Sequence, residues 1–222
     1  MTRKIILDTE TTGLDFEKDR IIEIACLELV GNSFTGEKFH QYYSPGNVLI
    51  SQQSEEIHGL TNDFLDKYNT FESEIGEFLN FIDDSKLIIH NAQFDLNMIN
   101  SSLRRTGNKK ILFEQAECTL EISKKKFPGS KNNLNALCRR FGINLEDREK
   151  HSAITDCFLL LQVYHELNGG KQVDLKFEKI KENTKKSKQH EYKYLDLFRV
   201  KLSEEEISQH KKMLHKLNKN LW

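Results

Sequence analysis

Cysteine is scarce in this chain and is not arranged to bind zinc. Cys26, Cys118, Cys138 and Cys157 stand far apart, with no paired ligand spacing. Cys157 lies in an apolar stretch and reads as a packing residue. No apolar run approaches the roughly 20 residues of a membrane-spanning helix, and no signal-type apolar segment opens the chain. The expectation is a protein of the reducing cytoplasm with no membrane contact. A basic excess is also missing: 33 Lys+Arg stand against 34 Asp+Glu, a formal charge of −1. That balance excludes the broad positive field of a protein that holds nucleic acid by charge alone. It also hides an asymmetry. Residues 171–222 carry 14 Lys+Arg and 8 Asp+Glu, whereas residues 1–170 carry 19 and 26. There is no internal repeat.

What the sequence has is five chemically apt residues in three local frames. Asp8 and Glu10 lie in Asp8-Thr9-Glu10-Thr11-Thr12-Gly13, Asp95 in His90-Asn91-Ala92-Gln93-Phe94-Asp95, and His151 and Asp156 in His151-Ser152-Ala153-Ile154-Thr155-Asp156. Hard divalent cations take clustered carboxylate oxygens, and phosphoryl transfer uses pairs of such cations. A nearby histidine can take the proton of an attacking water. The set therefore points to a metal-dependent nuclease.

Each piece alone has a plainer reading. The apolar run at 4–7 reads as a buried strand that places Asp8 and Glu10 at its end, both on one side because alternate strand residues share a face. Two surface acids at a strand-to-turn junction would look similar, but the continuation Thr-Thr-Gly-Leu is rarer, and Gly13 would permit a tight turn close to a ligand. A second strand candidate, 87–90, precedes a helix over 92–106 that Asn91 would cap. Asp95 then falls in its first turn, where an acid also favours the helix dipole. His151 and Asp156 are five apart and would not share a helix face. His151 fits the loop before the third helix and Asp156 the helix itself, which runs through Cys157-Phe158-Leu159-Leu160-Leu161 to Gly169-Gly170.

Further strand candidates at 21–29 and 38–43 make a meander with the first. Helices are expected over 71–82, 116–126 and 133–141. Strands first, then helices crossing back to a central strand, predict an α/β mixed sheet.

The three frames resemble the three exonuclease motifs of the DEDD superfamily, in its DnaQ-like, histidine-containing branch: Asp-x-Glu, an Asp after a strand, and His-x-Ala-x-x-Asp, all present and in order. The resemblance implies a ribonuclease H-like sheet flanked by helices, with a C-terminal linker and short helical tail added here. It implies two divalent cations, Mg²⁺ or Mn²⁺, held by Asp8, Glu10, Asp95 and Asp156, with His151 as the catalytic base. The substrate would be a single-stranded 3′ end of DNA, in contact with Asp8, Glu10, Thr11, Asp156 and neighbouring residues. His58, in Ile57-His58-Gly59-Leu60-Thr61, matches a family histidine near the terminal nucleotide; a helix-end histidine before a glycine cap would look the same. Gln53 stands where relatives often have a Glu contacting the nucleotide. Leu14 and Phe94 flank motif acids and would stack on unpaired bases or pack in the core.

The chain then divides into an exonuclease domain (1–170), a clamp-binding peptide and flexible linker (171–193), and a polymerase-binding tail (194–222). Gln172-Val173-Asp174-Leu175-Lys176-Phe177 resembles the Gln-x-Asp/Ser-Leu-x-Phe peptides that dock on bacterial sliding clamps, with Gln172, Asp174, Leu175 and Phe177 at the matching positions. Residues 178–193 are polar and Lys-rich. Tyr194, Leu195, Leu197, Phe198 and Val200 then concentrate apolar surface, and Ser203-Glu204-Glu205-Glu206 forms a capping box before Ile207, Leu214 and Leu217. This tail resembles those by which replicative proofreading subunits bind the polymerase alpha subunit; the alternative is a helix folded back on its own domain. An acidic nuclease domain implies weak intrinsic affinity for DNA, so a partner in the bacterial replisome would deliver the substrate. An RNA 3′-end trimming enzyme shares the same catalytic motifs, and a replisome tether with relic motifs would lack activity.

Overall fold

The run Lys4-Ile5-Ile6-Leu7 forms the first half of a longer strand, β1 (Arg3–Thr11). The motif acids lie inside this strand, past its apolar half. In a computed structural model the described residues are 2–145, 150–169 and Ser208, all but the last in the unit Met1–Leu175. The linker, the clamp-like peptide and the tail expected at 171–222 lie outside the described residues, apart from Ser208.

β1 pairs antiparallel with β2 (Ile21–Val30), which pairs antiparallel with β3 (Ser33–Tyr42). On its other edge β1 pairs parallel with β4 (Lys86–Ile89), and β4 with β5 (Ala116–Cys118). The order β3-β2-β1-β4-β5 makes β1 central. Parallel pairing sends the C-terminal ends of β1 and β4 to the same side, which brings two motifs together.

Helices cover both faces. Between β3 and β4 come α1 (Gln52–His58), α2 (Asn62–Leu65) and α3 (Phe71–Ile82). α4 (Ala92–Arg105) follows β4, and α5 (Thr119–Lys126), α6 (Leu134–Phe141) and α7 (Ala153–Leu167) complete the unit. Ile5 and Leu7 point to one face and meet Phe71, Ile75, Phe78 and Ile82 of α3 and Leu96, Ile99 and Leu103 of α4. Ile6 points to the other and meets Leu160, Val163, Tyr164 and Leu167 of α7. Each fully buried Ile or Leu contributes about 1.5–3 kcal/mol, so β1, apolar on both sides, anchors two cores at once. Alternation then puts Asp8 and Glu10 on the α7 face and Thr9 on the α4 face.

Several boundaries differ from the sequence reading for physical reasons. Residues 116–118 are strand, not helix: they pair with Leu87–Ile89, and the helix starts only at Thr119, whose Oγ1 donates to Ile89 O at 3.3 Å. Tertiary pairing overrides local propensity there. β3 starts at Ser33 rather than 38, carried through Gly36 by the hairpin with β2. Asn91 occupies the cap position of α4 but makes no side-chain cap; it adopts a left-handed conformation, φ 69°, which Asn tolerates better than most residues. α7 stops at Leu167, before the glycines. The short helices α1 and α2 were not foreseen.

Gly13 has a local reason of its own. A Cβ there would lie 2.4 Å from Asp19 Oδ2. That carboxylate organises the β1–β2 loop by accepting from Thr12 Oγ1 and Asp15 N, each at 2.8 Å. The close approach is to the loop's own carboxylate. Gly13→Ala should displace Asp19 and cost about 1–3 kcal/mol, the usual penalty of overpacking. Urea unfolding checks this; an unchanged midpoint would mean that Asp19 swings aside freely.

Candidate active site

Three elements meet where β1 passes its apolar half. Asp8 and Glu10 come from β1, Asp95 from the first turn of α4 and Asp156 from the first turn of α7. His151 lies in the loop just before α7, as its spacing from Asp156 predicts. One ligand atom each from Glu10, His151 and Asp156 lie within 4.8 Å of one another, and His151 Nδ1 is 3.3 Å from Asp156 Oδ2. Asp95 is held by Thr9 Oγ1, which donates to its Oδ1 at 2.8 Å.

The electrostatics are dominated by crowding. The Asp8 carboxyl is held well above the ordinary carboxylate range, by burial first and then by Asp95, Asp156, Glu10 and Glu23. Every neighbour named there is an acid. Burial pushes Asp95 up to about 7, against the opposing pull of the Thr9 hydrogen bonds. Such a set of crowded hard oxygen donors fits divalent cations. His90, at the end of β4, supplies none: burial lowers it to about 4, and its Nδ1 is engaged with Thr119 Oγ1 at 2.9 Å.

The expected substrate residues are placed less uniformly. Thr11 is buried and donates to Gly13 O at 2.7 Å. Leu14 is 74% exposed, so it does not pack in the core. Phe94 is half-buried and packs against the α3–α4 core, the plainer of its two readings. Gln53 is exposed on α1. His58 is buried and ends α1 before Gly59, which is left-handed at φ 75°; its Nδ1 accepts from Leu60 N at 3.0 Å. Burial lowers its pKa, and His151, Lys150 and Glu23 act on it electrostatically. The structure thus makes His58 a helix-end residue and also brings it near the site.

Sequence reasoning missed four residues. Thr9 steadies Asp95. Glu23, opposite Glu10 in the β1–β2 register, is 1% exposed. Its Oε1 accepts from Ser152 Oγ at 2.9 Å and stands 2.8 Å from His40 Nε2. The signal for Glu23 was a charge inside the apolar run Ile21-Ile22-Glu23-Ile24, since a buried charge needs partners.

The crowding has a pH consequence. Without metal, a folded-state carboxyl pKa raised above its unfolded value makes the native state bind more protons, so stability falls as pH rises from about 4 through about 7. In EDTA the melting midpoint should decline over that window. Mg²⁺ or Mn²⁺ should flatten the decline, and Asp95→Asn should raise the EDTA midpoint at pH 8 but not at pH 4. A midpoint in EDTA that neither variant nor metal alters would refute the crowding.

A family model described as Exonuclease matches residues 5–164. The DNA polymerase III subunit epsilon of Rickettsia felis is 40% identical over 224 residues, covering 98% of this chain and 97% of that one. Its Escherichia coli counterpart is 37% identical over 178 residues, 77% of this chain and 73% of that. Among solved structures, exonuclease X in complex with 5′ overhanging duplex DNA superposes with a TM-score of 0.57 at 24% identity, covering 74% and 90% of the two chains. E. coli exonuclease I in complex with a dT13 oligonucleotide gives 0.66 at 15% identity, covering 76% and 41%. At these identities the structural likeness speaks for the fold alone.

Proposed function

We infer the function from membership and geometry together: the chain belongs to the exonuclease family, among the DNA polymerase III epsilon subunits, and acts as a proofreading 3′→5′ exonuclease. The observation that carries the chemistry is the convergence of Glu10, His151 and Asp156 beside the crowded Asp8. Asp8, Glu10 and Asp156 would hold one divalent cation, Mg²⁺ or Mn²⁺, and Asp8 with Asp95 a second. When bound, such ions make a water nucleophilic and neutralise charge on the phosphoryl oxygens and the departing 3′ oxygen.

The protein's own residues do the rest. Asp156 Oδ2 beside His151 Nδ1 favours the tautomer with the proton on Nδ1 and leaves Nε2 to accept the proton of the attacking water. His151 sits on a loop and the acids on regular elements, so the base can adjust to substrate while the ligands stay fixed. Thr11, Leu14, Gln53, His58 and Phe94 would position the terminal nucleotides. Hydrolysis would release nucleoside 5′-monophosphates. Mismatch preference needs no base readout, because a frayed 3′ end costs less to unpair.

The remaining assignments rest on sequence resemblance. Residues 172–177 would dock on the sliding clamp and 194–222 on the polymerase alpha subunit, which places the protein with the cytoplasmic replisome. Among the described residues no helix is long and apolar enough to cross a membrane.

Asp8→Ala or Asp156→Ala should abolish hydrolysis of a 3′-mismatched DNA primer, and EDTA should do the same. His151→Ala should lose about 10²–10⁴-fold in rate, with the deficit shrinking at high pH as hydroxide substitutes for the base. It should keep its Mn²⁺ affinity, measured calorimetrically; loss of that affinity would make His151 a ligand instead. Full activity in Asp8→Ala would refute the site. An RNA oligomer degraded as fast as the primer would refute the DNA assignment.

The C-terminal assignments separate cleanly from the chemistry. Replacing Gln172, Leu175 and Phe177 with Ala should weaken clamp binding, and truncation before Tyr194 should remove alpha-subunit binding. Neither change should alter hydrolysis of a free oligonucleotide. A truncated protein that still binds the alpha subunit and melts much lower would show the tail to be core.

A further inference from the structure

Glu23 is a further carboxylate on the α7 face of the sheet, beside Asp8 and Glu10, and its hydrogen bonds run to Ser152 and His40. Ser152 stands at the cap position of α7 with extended backbone, φ −147° and ψ 133°. A serine there ordinarily turns its oxygen onto the free amides of the first helical turn. Ser152 makes no such bond. Its hydroxyl donates to Glu23 Oε1 at 2.9 Å, and the same oxygen faces His40 Nε2 of β3 at 2.8 Å. A helix cap has been given up for a bond to the sheet.

That bond lies between the two catalytic positions of the third motif. Ser152 follows His151 directly and precedes Asp156 by four residues. The loop is anchored elsewhere as well: His151 N donates to Ile57 O at 3.1 Å, and Lys150 Nζ to Glu56 O at 2.6 Å. Both of these reach the end of α1. The Glu23 bond ties the described part of the loop to the sheet that carries Asp8 and Glu10, and Glu23 is paired opposite Glu10 itself. We propose that Glu23 is a positioning residue: through Ser152 it sets the placement of His151 relative to the acids of β1, and His40 in turn holds Glu23. This rests on the reading of His151 as the base.

The test uses the full-length protein on a short single-stranded DNA oligonucleotide. Ser152→Ala, Glu23→Ala and Glu23→Gln are compared singly and in a His151→Ala background. Ser152→Ala and Glu23→Ala should each lower kcat about 10- to 100-fold, the scale of a misplaced catalytic group, with KM little changed. Glu23→Gln keeps an acceptor oxygen and should recover most of the rate. In His151→Ala none of the three should cost anything further, and the Mn²⁺ affinity of all three should match the parent. Losses that multiply with His151→Ala would overturn the proposal, as would weakened Mn²⁺ binding in Glu23→Gln, which would make Glu23 a ligand. A fully active His151→Ala would instead refute the base assignment. Should Glu23→Ala not fold, Ser152→Ala, which leaves the sheet intact, decides the matter alone.

Discussion

The structure is organised around an unfavourable interaction: the repulsion of carboxylates confined at one end of β1. Two unit charges about 4 Å apart at an effective dielectric near 20 repel by about 4 kcal/mol, and here Asp8 feels four other acids. A fold can keep such a cluster only by fixing each acid to something that cannot relax. β1 does this for Asp8 and Glu10, because its apolar half is locked into cores on both faces. Thr9, on the opposite side of the same strand, fixes Asp95. Asp156 rides on α7, whose Cys157 Sγ donates to Ala25 O of β2 at 3.3 Å. Bound cations would relieve that strain, so the crowding that disfavours the bare protein would favour binding of metal.

Charge at larger scale follows the same logic. Residues 1–170 are acidic on balance, which suits a pocket whose positive charge is brought by ions and opposes tight binding of a polyanion. Long-range attraction cannot then hold substrate at the site. Residence of DNA would then come from elsewhere, a reading in keeping with the basic excess beyond residue 170 and with relatives named as subunits of a polymerase. For a proofreader the weakness is useful: a nuclease with high intrinsic affinity would consume paired ends too.

The proposed constellation could be read from sequence because metal chemistry demands particular side chains in particular local frames, and these are contiguous in sequence. Asp8, Glu10, Asp95, His151 and Asp156 each sit on the element that periodicity assigns to them. The supporting contacts were not legible in that way. Glu23 reads as one polar residue on a strand, and its partners Ser152 and His40 are 129 and 17 positions away. β5 is three residues long and exists only because β4 is beside it. Asn91 has the right identity for a cap, but its backbone is left-handed and its side chain makes no cap hydrogen bond. Gly13 was read as a close approach to a ligand, whereas the group that approaches it is Asp19 of the same loop, found only in three dimensions. What fails to show in sequence is consistently the contact made across the sheet or across a loop.

These support contacts explain a division of labour. Metal ligands tolerate little displacement, since coordination distances are short and fixed, and the four proposed here come from strands or first helical turns. A general base needs a different compromise, because it must reach a water whose position depends on where the substrate phosphate settles. Placing His151 in a loop gives it that latitude. Unlimited latitude would forfeit the advantage of a positioned base, and the loop is accordingly tied at Lys150, His151 and Ser152, on both sides of the ring that moves. The loop at 150–152 is hydrogen-bonded to α1 and, through Ser152, to β2, while the imidazole is 42% exposed. With His151 as the proposed base, adjustment to substrate would then fall to side-chain torsions, which relax in picoseconds to nanoseconds.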